Sequence, residues 1–254
     1  GFTLGSSSGT NGSSKTYVAW NWLGANGTAS NSNGSITSTV SANTTAGFSI
    51  VSYTGTGSNA TIGHGLGAVP RWIIVKVRDA SNNWIVQHGS LGATKRMLLD
   101  ATSAEASAST FFNNTEPTSS VFSVGTEDVT NNNGNAYIAY CFAEKTGYSK
   151  FGSYTGNGNA DGTFAYTGFK PAWVIIKRTD STSHWRMFDN KREGFNVDND
   201  ALKANTSDAE TTTDFIDLLS NGFKLRSTDS AVNSGSFIYM AFAENSFVAN
   251  DSGT

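Results

Sequence analysis

The sequence predicts an all-β protein built as two tandem β-sandwich repeats, jelly-roll-like in plan and about 100 residues each, preceded by a β-hairpin from an incomplete repeat and a polar linker. Three observations predict it. First, Ser52, Tyr53, Thr54, Gly55 and Gly57 recur as Ser153, Tyr154, Thr155, Gly156 and Gly158. Pro70, Trp72, Ile74, Lys76, Asp79 and Trp84 recur as Pro171, Trp173, Ile175, Lys177, Asp180 and Trp185, all at one offset of 101 residues, the mark of an internal duplication. Second, 27 glycines and only 15% charged residues, with Ser, Thr and Asn between short runs of Val, Ile, Phe, Tyr and Trp, suit turn-rich β structure. Third, the turn signals mark roughly six to eight short strands per repeat with no sustained helical period.

Residues 1–22 read as the closing hairpin of a repeat whose beginning is missing. Gly1 to Gly5 resemble Val121 to Gly125 and Gly222 to Arg226, and Tyr17 to Trp22 align with Tyr137 to Phe142 and Phe237 to Phe242. Each copy is two β-type runs joined by a Ser-, Asn- and Gly-rich loop, hence a hairpin. A start on Gly1 rather than Met reads as a segment of something longer or processed. Residues 23–46 hold little but Gly, Ala, Ser, Thr and Asn and read as a surface linker or arm; the alternative is that Ile36 to Val40 forms an edge strand that pairs on assembly.

The first repeat spans 47–145. Phe48 to Tyr53 opens it as a strand. Pro70 then pins the start of the most apolar strand, Arg71 to Arg78, because proline lacks a donor and belongs at a strand's first residue. Ile73, Val75 and Val77 face one way while Trp72, Ile74 and Lys76 face the other, and apolar residues on both faces argue for a central strand. Trp84 to Gln87 and Arg96 to Asp100 are short strands, and Ala101 to Ser109 is a loop with at most one helical turn. Val121 to Val124 and Ala136 to Ala143 close the repeat as a hairpin. The second repeat, 148–245, follows the same plan, with Thr213 to Ser220 offering Phe215, Ile216, Leu218 and Leu219 as a short helix. Residues 246–254 read as tail or linker.

A net charge of −3 from 17 scattered basic and 20 acidic residues gives no electrostatic footprint for nucleic acid. No apolar run approaches the ~20 residues of a membrane helix, so no membrane insertion is expected. Cys141, the only cysteine, reads as a small buried hydrophobe.

The candidate site residues are the duplicated aromatics Tyr53, Trp72, Trp84, Tyr154, Trp173 and Trp185, which either stack on sugar rings or pack inside the protein. Retention in both copies beside the fold-defining Pro and Gly favours packing. His64, His88 and His184 lack metal spacing. Asp198 and Asp200 flank Asn199 without the glycine and downstream glutamate of a calcium loop. Glu105, Glu116, Asp79 and Glu144 show no spacing that singles out a glycosidase pair. Phosphate-loop, dinucleotide and nucleophile-elbow motifs are missing, so no enzyme activity and no cofactor are expected.

The run Phe48 to Gly57, the following Gly63, His64, Gly65, Leu66 and Gly67, then Pro70 with Ile73, Ile74, Val75 and Lys76, resemble a repeated domain of uncharacterised function in tail and appendage proteins of marine bacteriophages. Pro117 to Val124, Tyr137 to Glu144 and Gly147 to Gly158 are similar to the same family. The resemblance implies an extracellular virion protein, a segment of a tail fibre or similar appendage. It would assemble with copies of itself (a trimer, by analogy with fibres) and with other virion tail proteins, and would contact host cell-surface glycans. The alternative is a carbohydrate-binding module of a secreted adhesin or enzyme. The resemblance implies no ligand or catalytic residues.

Overall fold

The computed structural model describes residues 1–192, 196 and 198–244; the expected tail, 246–254, lies outside them. In chain order the elements are α1 (Ser8–Asn11), β1 (Ala29–Asn31), β2 (Ser38–Asn43), β3 (Phe48–Thr54), β4 (Ala60–Gly63), β5 (Pro70–Val77), β6 (Ile85–His88), β7 (Lys95–Leu98), β8 (Ala106–Ser107), α2 (Ser109–Phe112), β9 (Val121–Val124), α3 (Asp128–Asn131) and β10 (Ala136–Ala143). The second half continues with β11 (Ser149–Asn157), β12 (Phe164–Tyr166), β13 (Pro171–Arg178), β14 (Arg186–Asp189), β15 (Asp198–Lys203), β16 (Thr211–Leu219), β17 (Gly222–Leu225), α4 (Ser230–Asn233) and β18 (Ser234–Ala243). The protein is all-β, with large antiparallel sheets. One runs β1-β2-β3-β10-β5-β6-β7-β8 beside a separate β4-β9 pair, and the other β11-β18-β13-β14-β15-β16-β17-β12. The order β3-β10-β5-β6-β7 recurs as β11-β18-β13-β14-β15.

The duplicated strands β5 and β13 begin on Pro70 and Pro171, as expected, and the register shifts beside each proline where a ladder donor is missing. β5 is central, between β10 and β6. Ile73, Val75 and Val77 enter the first core with Val51, Ile62, Phe122 and Cys141. Trp72 and Ile74, on the opposite face, belong to a layer shared with the second half, where Trp173 and Ile175 of β13 are their counterparts. Both faces of the strand are apolar because one lines a core and the other the contact between halves. Phe142 and Phe242 meet in the same layer at 5.9 Å between ring centroids.

Four expectations need correction. The predicted closing hairpins are not hairpins: β9 pairs with β4 while β10 pairs with β3 and β5. The chain crosses through α3, where the buried Asn131 amide donates to Ser58 O (2.6 Å) and Gly125 O (2.7 Å) and accepts from Thr56 N (2.9 Å). Asn233 repeats this role, donating to Asn159 O at 2.7 Å and Ser227 O at 2.9 Å. These bonds fix a sheet-to-sheet crossing that strand patterning does not reveal.

Residues 1–22 form no hairpin either. After α1 and a turn at Ser13 and Ser14 the chain makes no ladder before β1, since no edge equivalent to β4 or β3 is offered to it among the described residues. Trp20 and Trp22 instead pack on Trp173, at 6.1 and 5.1 Å. The expected linker, 23–46, is part of the sheet: β2 pairs with β3, and Ile36 forms a parallel bridge to Ile62. Ile36 and Val40 are buried, so alternate residues of this low-charge stretch do supply a core face. The alternative of an edge strand at Ile36 to Val40 is not what forms: Ile36 makes a lone bridge, and β2, from Ser38, is an inner strand flanked by β1 and β3 of the same chain. Finally, the expected helix at Thr213 to Ser220 is β16, a β-branched run paired on both sides, with β15 and β17. Ala101 to Ser109 is a loop with a short strand, and the single helical turn, α2, follows it.

The halves close differently. In the first, β2 and Ile36 fill the space between β3 and β4, and Ser38 Oγ donates to Gly63 O at 2.7 Å. In the second, the sheet curls into a nearly closed barrel that brings β12 beside β11. There Thr163 Oγ1 donates to Thr155 O at 2.7 Å and Tyr239 Oη to Tyr166 O at 3.2 Å, with no ladder between the two strands.

Candidate functional site

Five of the six duplicated aromatics are structural. Tyr53 and Tyr154 are buried, stacked on Tyr137 and Phe237 at 5.1 and 4.8 Å. Their hydroxyls donate to Thr130 O (2.7 Å) and Val232 O (2.6 Å), tying each core to its crossing. Burial pushes both phenols well above their usual pKa. Trp72 stands between His88 (5.1 Å) and Trp185 (5.7 Å), and Trp185 Nε1 donates across the halves to Leu98 O at 2.7 Å. Trp173 lies under Trp20 and Trp22. Only Trp84 keeps part of its surface, stacked on Tyr140 at 6.3 Å.

Each histidine has its own hydrogen-bond partners, and among the described residues no His, Cys, Asp and Glu cluster suited to a metal occurs. His64 Nδ1 accepts from Leu66 N at 3.2 Å while Nε2 faces Thr118 O at 3.1 Å. His88 Nδ1 accepts from Ser90 N at 3.0 Å, which leaves the proton on Nε2, facing Tyr239 O of the other half at 3.2 Å. Burial drives His88 down to about pKa 4, with the nearby Arg71 charge adding to the shift. His184 pairs with Asn205. The side chain of Asp198 lies outside what is described, so the Asp198 and Asp200 pair is not placed.

The acids considered for catalysis are dispersed. Asp79 accepts from Ala136 N at 2.9 Å, Glu116 from Ala93 N at 2.7 Å, and Glu144 pairs with Lys150 at 2.7 Å. Glu105 pairs with Lys95 at 3.2 Å, but it also reaches a cleft.

That cleft, of about 470 Å³, opens at the rim of the shared layer where the two halves diverge, within the usual range of small-molecule sites, about 300–1,000 Å³. Ser90, Leu91 and Glu105 form one wall; Ser153, Thr155, Thr179, Asp180 and Ser236 form the other, with the Ile238 side chain and the backbone of Tyr154 and Phe237, whose rings enter the second core, completing the lining. The walls are stitched together: Glu105 N donates to Thr179 O at 2.8 Å, Ser183 N to Thr102 O at 2.9 Å, and buried Lys177 Nζ to Thr102 O at 3.2 Å. Burial, with Arg178 beside it, lowers Lys177 to about pKa 8. Arg178 Nε donates to Asp180 Oδ1 at 2.7 Å and holds that carboxyl below its usual range. The arrangement offers hydroxyls and two carboxylates over a partly apolar base, a set that hydrogen-bonds polyhydroxylated ligands. Sequence reading missed it because its walls come from both halves; the duplication of Asp79 as Asp180 was the available signal.

The family model described as "Domain of unknown function (DUF7483)" matches residues 1–246. The chain belongs to this family. Among curated proteins and solved structures, nothing matches it.

Proposed function

We propose that the chain is a non-enzymatic structural and adhesion module of a virion, a segment of a tail fibre or similar extracellular appendage that contacts host surface glycans. In this reading each half is one β-sandwich repeat, and copies of the chain assemble so that individually weak contacts add up to avidity. The observation that carries the glycan part is the cleft between the halves, with hydroxyls and the Glu105 and Asp180 carboxylates held on backbones bonded across the contact. The resemblance of Phe48 to Gly57 and Pro117 to Val124 to phage appendage repeats supports the virion part.

A glycan array, followed by saturation-transfer NMR on any binder, tests the reading. Millimolar binding lost in Asp180→Ala and Glu105→Gln, with unfolding unchanged, is expected. An array with no binder to the assembled protein overturns the adhesive role, and release of reducing ends from host polysaccharide overturns the non-enzymatic one. Antibodies against the chain should decorate an appendage of the particle.

A further inference from the structure

We propose that the first half carries a second polar socket, formed by Gln87, Arg71 and Glu116, that receives one hydroxyl of a neutral sugar. This rests on the glycan reading but uses a different place in the molecule.

Gln87 sits on β6 opposite Ile73 and is only 3% exposed. Neither its Oε1 nor its Nε2 has a hydrogen-bond partner among the described residues. A buried, unmatched amide is costly and rare in native proteins. The fold does not require it, because the residue in the same register of the second half, opposite Val174, is Phe188, fully buried against Phe215. The first half therefore keeps a polar group where an apolar one fits the strand.

Gln87 lines a cavity of about 10 Å³ together with Arg71, Gly89, Glu116, Pro70 and Pro117, room for one water-sized oxygen. Its surroundings are also peculiar to the first half. Arg71 packs so closely on Gly89 that a Cβ there would lie 2.7 Å from the guanidinium carbon; the counterparts are Ala172 and Asn190. Arg71 makes no ion pair or side-chain hydrogen bond among the described residues. Glu116 uses Oε1 to accept from Ala93 N. Arg71 and Glu116 are exposed and Pro117 is half-buried, so the cavity lies just beneath the surface, with the Gln87 amide at its inner end closed to solvent.

The donors and acceptors select the ligand. Gln87 Nε2 and Arg71 donate; Gln87 Oε1 and Glu116 accept. A carboxylate would leave Gln87 Oε1 unmatched and face Glu116, and an ammonium would leave Nε2 unmatched and face Arg71. A hydroxyl both donates and accepts and satisfies the set. Water shares that chemistry; a pyranoside adds C–H faces that can lie on Pro117.

Gln87 is the only glutamine in the chain, so side-chain ¹⁵N labelling of glutamine gives one amide signal that reports the socket alone. We expect that signal to move on titration with methyl glucoside, galactoside or mannoside at millimolar concentration. Arg71→Ala should weaken the effect roughly tenfold, the size of one lost charge-assisted bond, and Asp180→Ala should leave it unchanged. Gln87→Leu should keep the fold and abolish the sugar-dependent thermal shift that remains when the cleft is disabled by Asp180→Ala. An amide unmoved by all three glycosides, showing only a resident water by nuclear Overhauser effect, overturns the proposal even if the array finds a binder for the cleft. Movement with glucuronate alone overturns the assignment to neutral sugars. Movement with neutral glycosides when Asp180→Ala has no effect on array binding leaves the socket standing and removes the cleft.

Discussion

The two halves meet the same difficulty, a gap beside their first long strand, with material from opposite directions. In the first half the preceding residues come in from outside, as β2 and Ile36. In the second half the connection from β10 to β11 is only Glu144 to Tyr148, too short for an arm, and the gap is filled from within by Tyr239. The residue choices are coupled. Tyr239 and Gly152 stand where the first half has Ala139 and Val51, and a Cβ on Gly152 would lie 2.6 Å from the Tyr239 hydroxyl. Conversely, a Cβ on Gly63, opposite Val121, would lie 2.0 Å from Asn31 Oδ1 of the arm, whereas Tyr166, in the same register of the second half opposite Gly222, is 63% exposed. Duplicated strands thus diverged in pairs of contacting residues, each large side chain matched by a glycine.

The comparison can be broken most severely at the internal plug. Tyr239→Ala should cost about 3–5 kcal/mol through the cavity left behind, read as a lower urea midpoint. Adding Gly152→Val, which restores the first half's pairing of small and branched residues, should recover part of the loss in a double-mutant cycle. Additive effects would show that the two positions are not coupled.

Ile36→Ala tests the external filler and should cost about 2–4 kcal/mol. Hydrogen exchange should quicken at the β3 amides that face β2 and leave the β11 amides as they were; uniform acceleration would mean that the arm stabilises both halves alike.

The halves also differ where they touch, His88 standing where the second half has Asp189. His88 has a folded-state pKa near 4, below its ordinary 6.5. The unfolded chain then binds more protons between those values, so stability is full above pH 6.5 and falls as pH drops toward 4. About 2–3 kcal/mol should be lost by pH 4.5, measured as unfolding midpoints at pH 7 and 4.5. In His88→Asn that part of the slope should vanish.

The smallest effect belongs to the clasp between β11 and β12. Thr163→Val removes the hydroxyl bond to Thr155 O and should cost about 0.5–1 kcal/mol, with faster exchange confined to β11.

These differences explain what sequence reasoning reached. The all-β class, the proline-led central strands and the packing role of Trp72 and Trp173 were legible because both copies share them and alternation reports burial on each face. The partners of β9 and β10 were not, since pairing with β4, β3 and β5 is settled by buried Asn131 and by segments far off in sequence. The place of the arm in the sheet was not legible, because its burial depends on Gly63, whose significance lies in the absence of a side chain. Gln87 looked like any strand residue until its amide proved to have no partner, and the cleft draws its walls from residues that alternation assigns to separate halves.

The shared layer has one more consequence. It draws corresponding faces from each half, Trp72 and Ile74 against Trp173 and Ile175, with Phe142 meeting Phe242. Geometrically this is a subunit contact enclosed within one polypeptide. Joined by five residues, the partners face each other at an effective concentration no solution of separate chains would reach. Recognition between them need not be symmetric, so one half holds a glutamine where its neighbour holds a core phenylalanine.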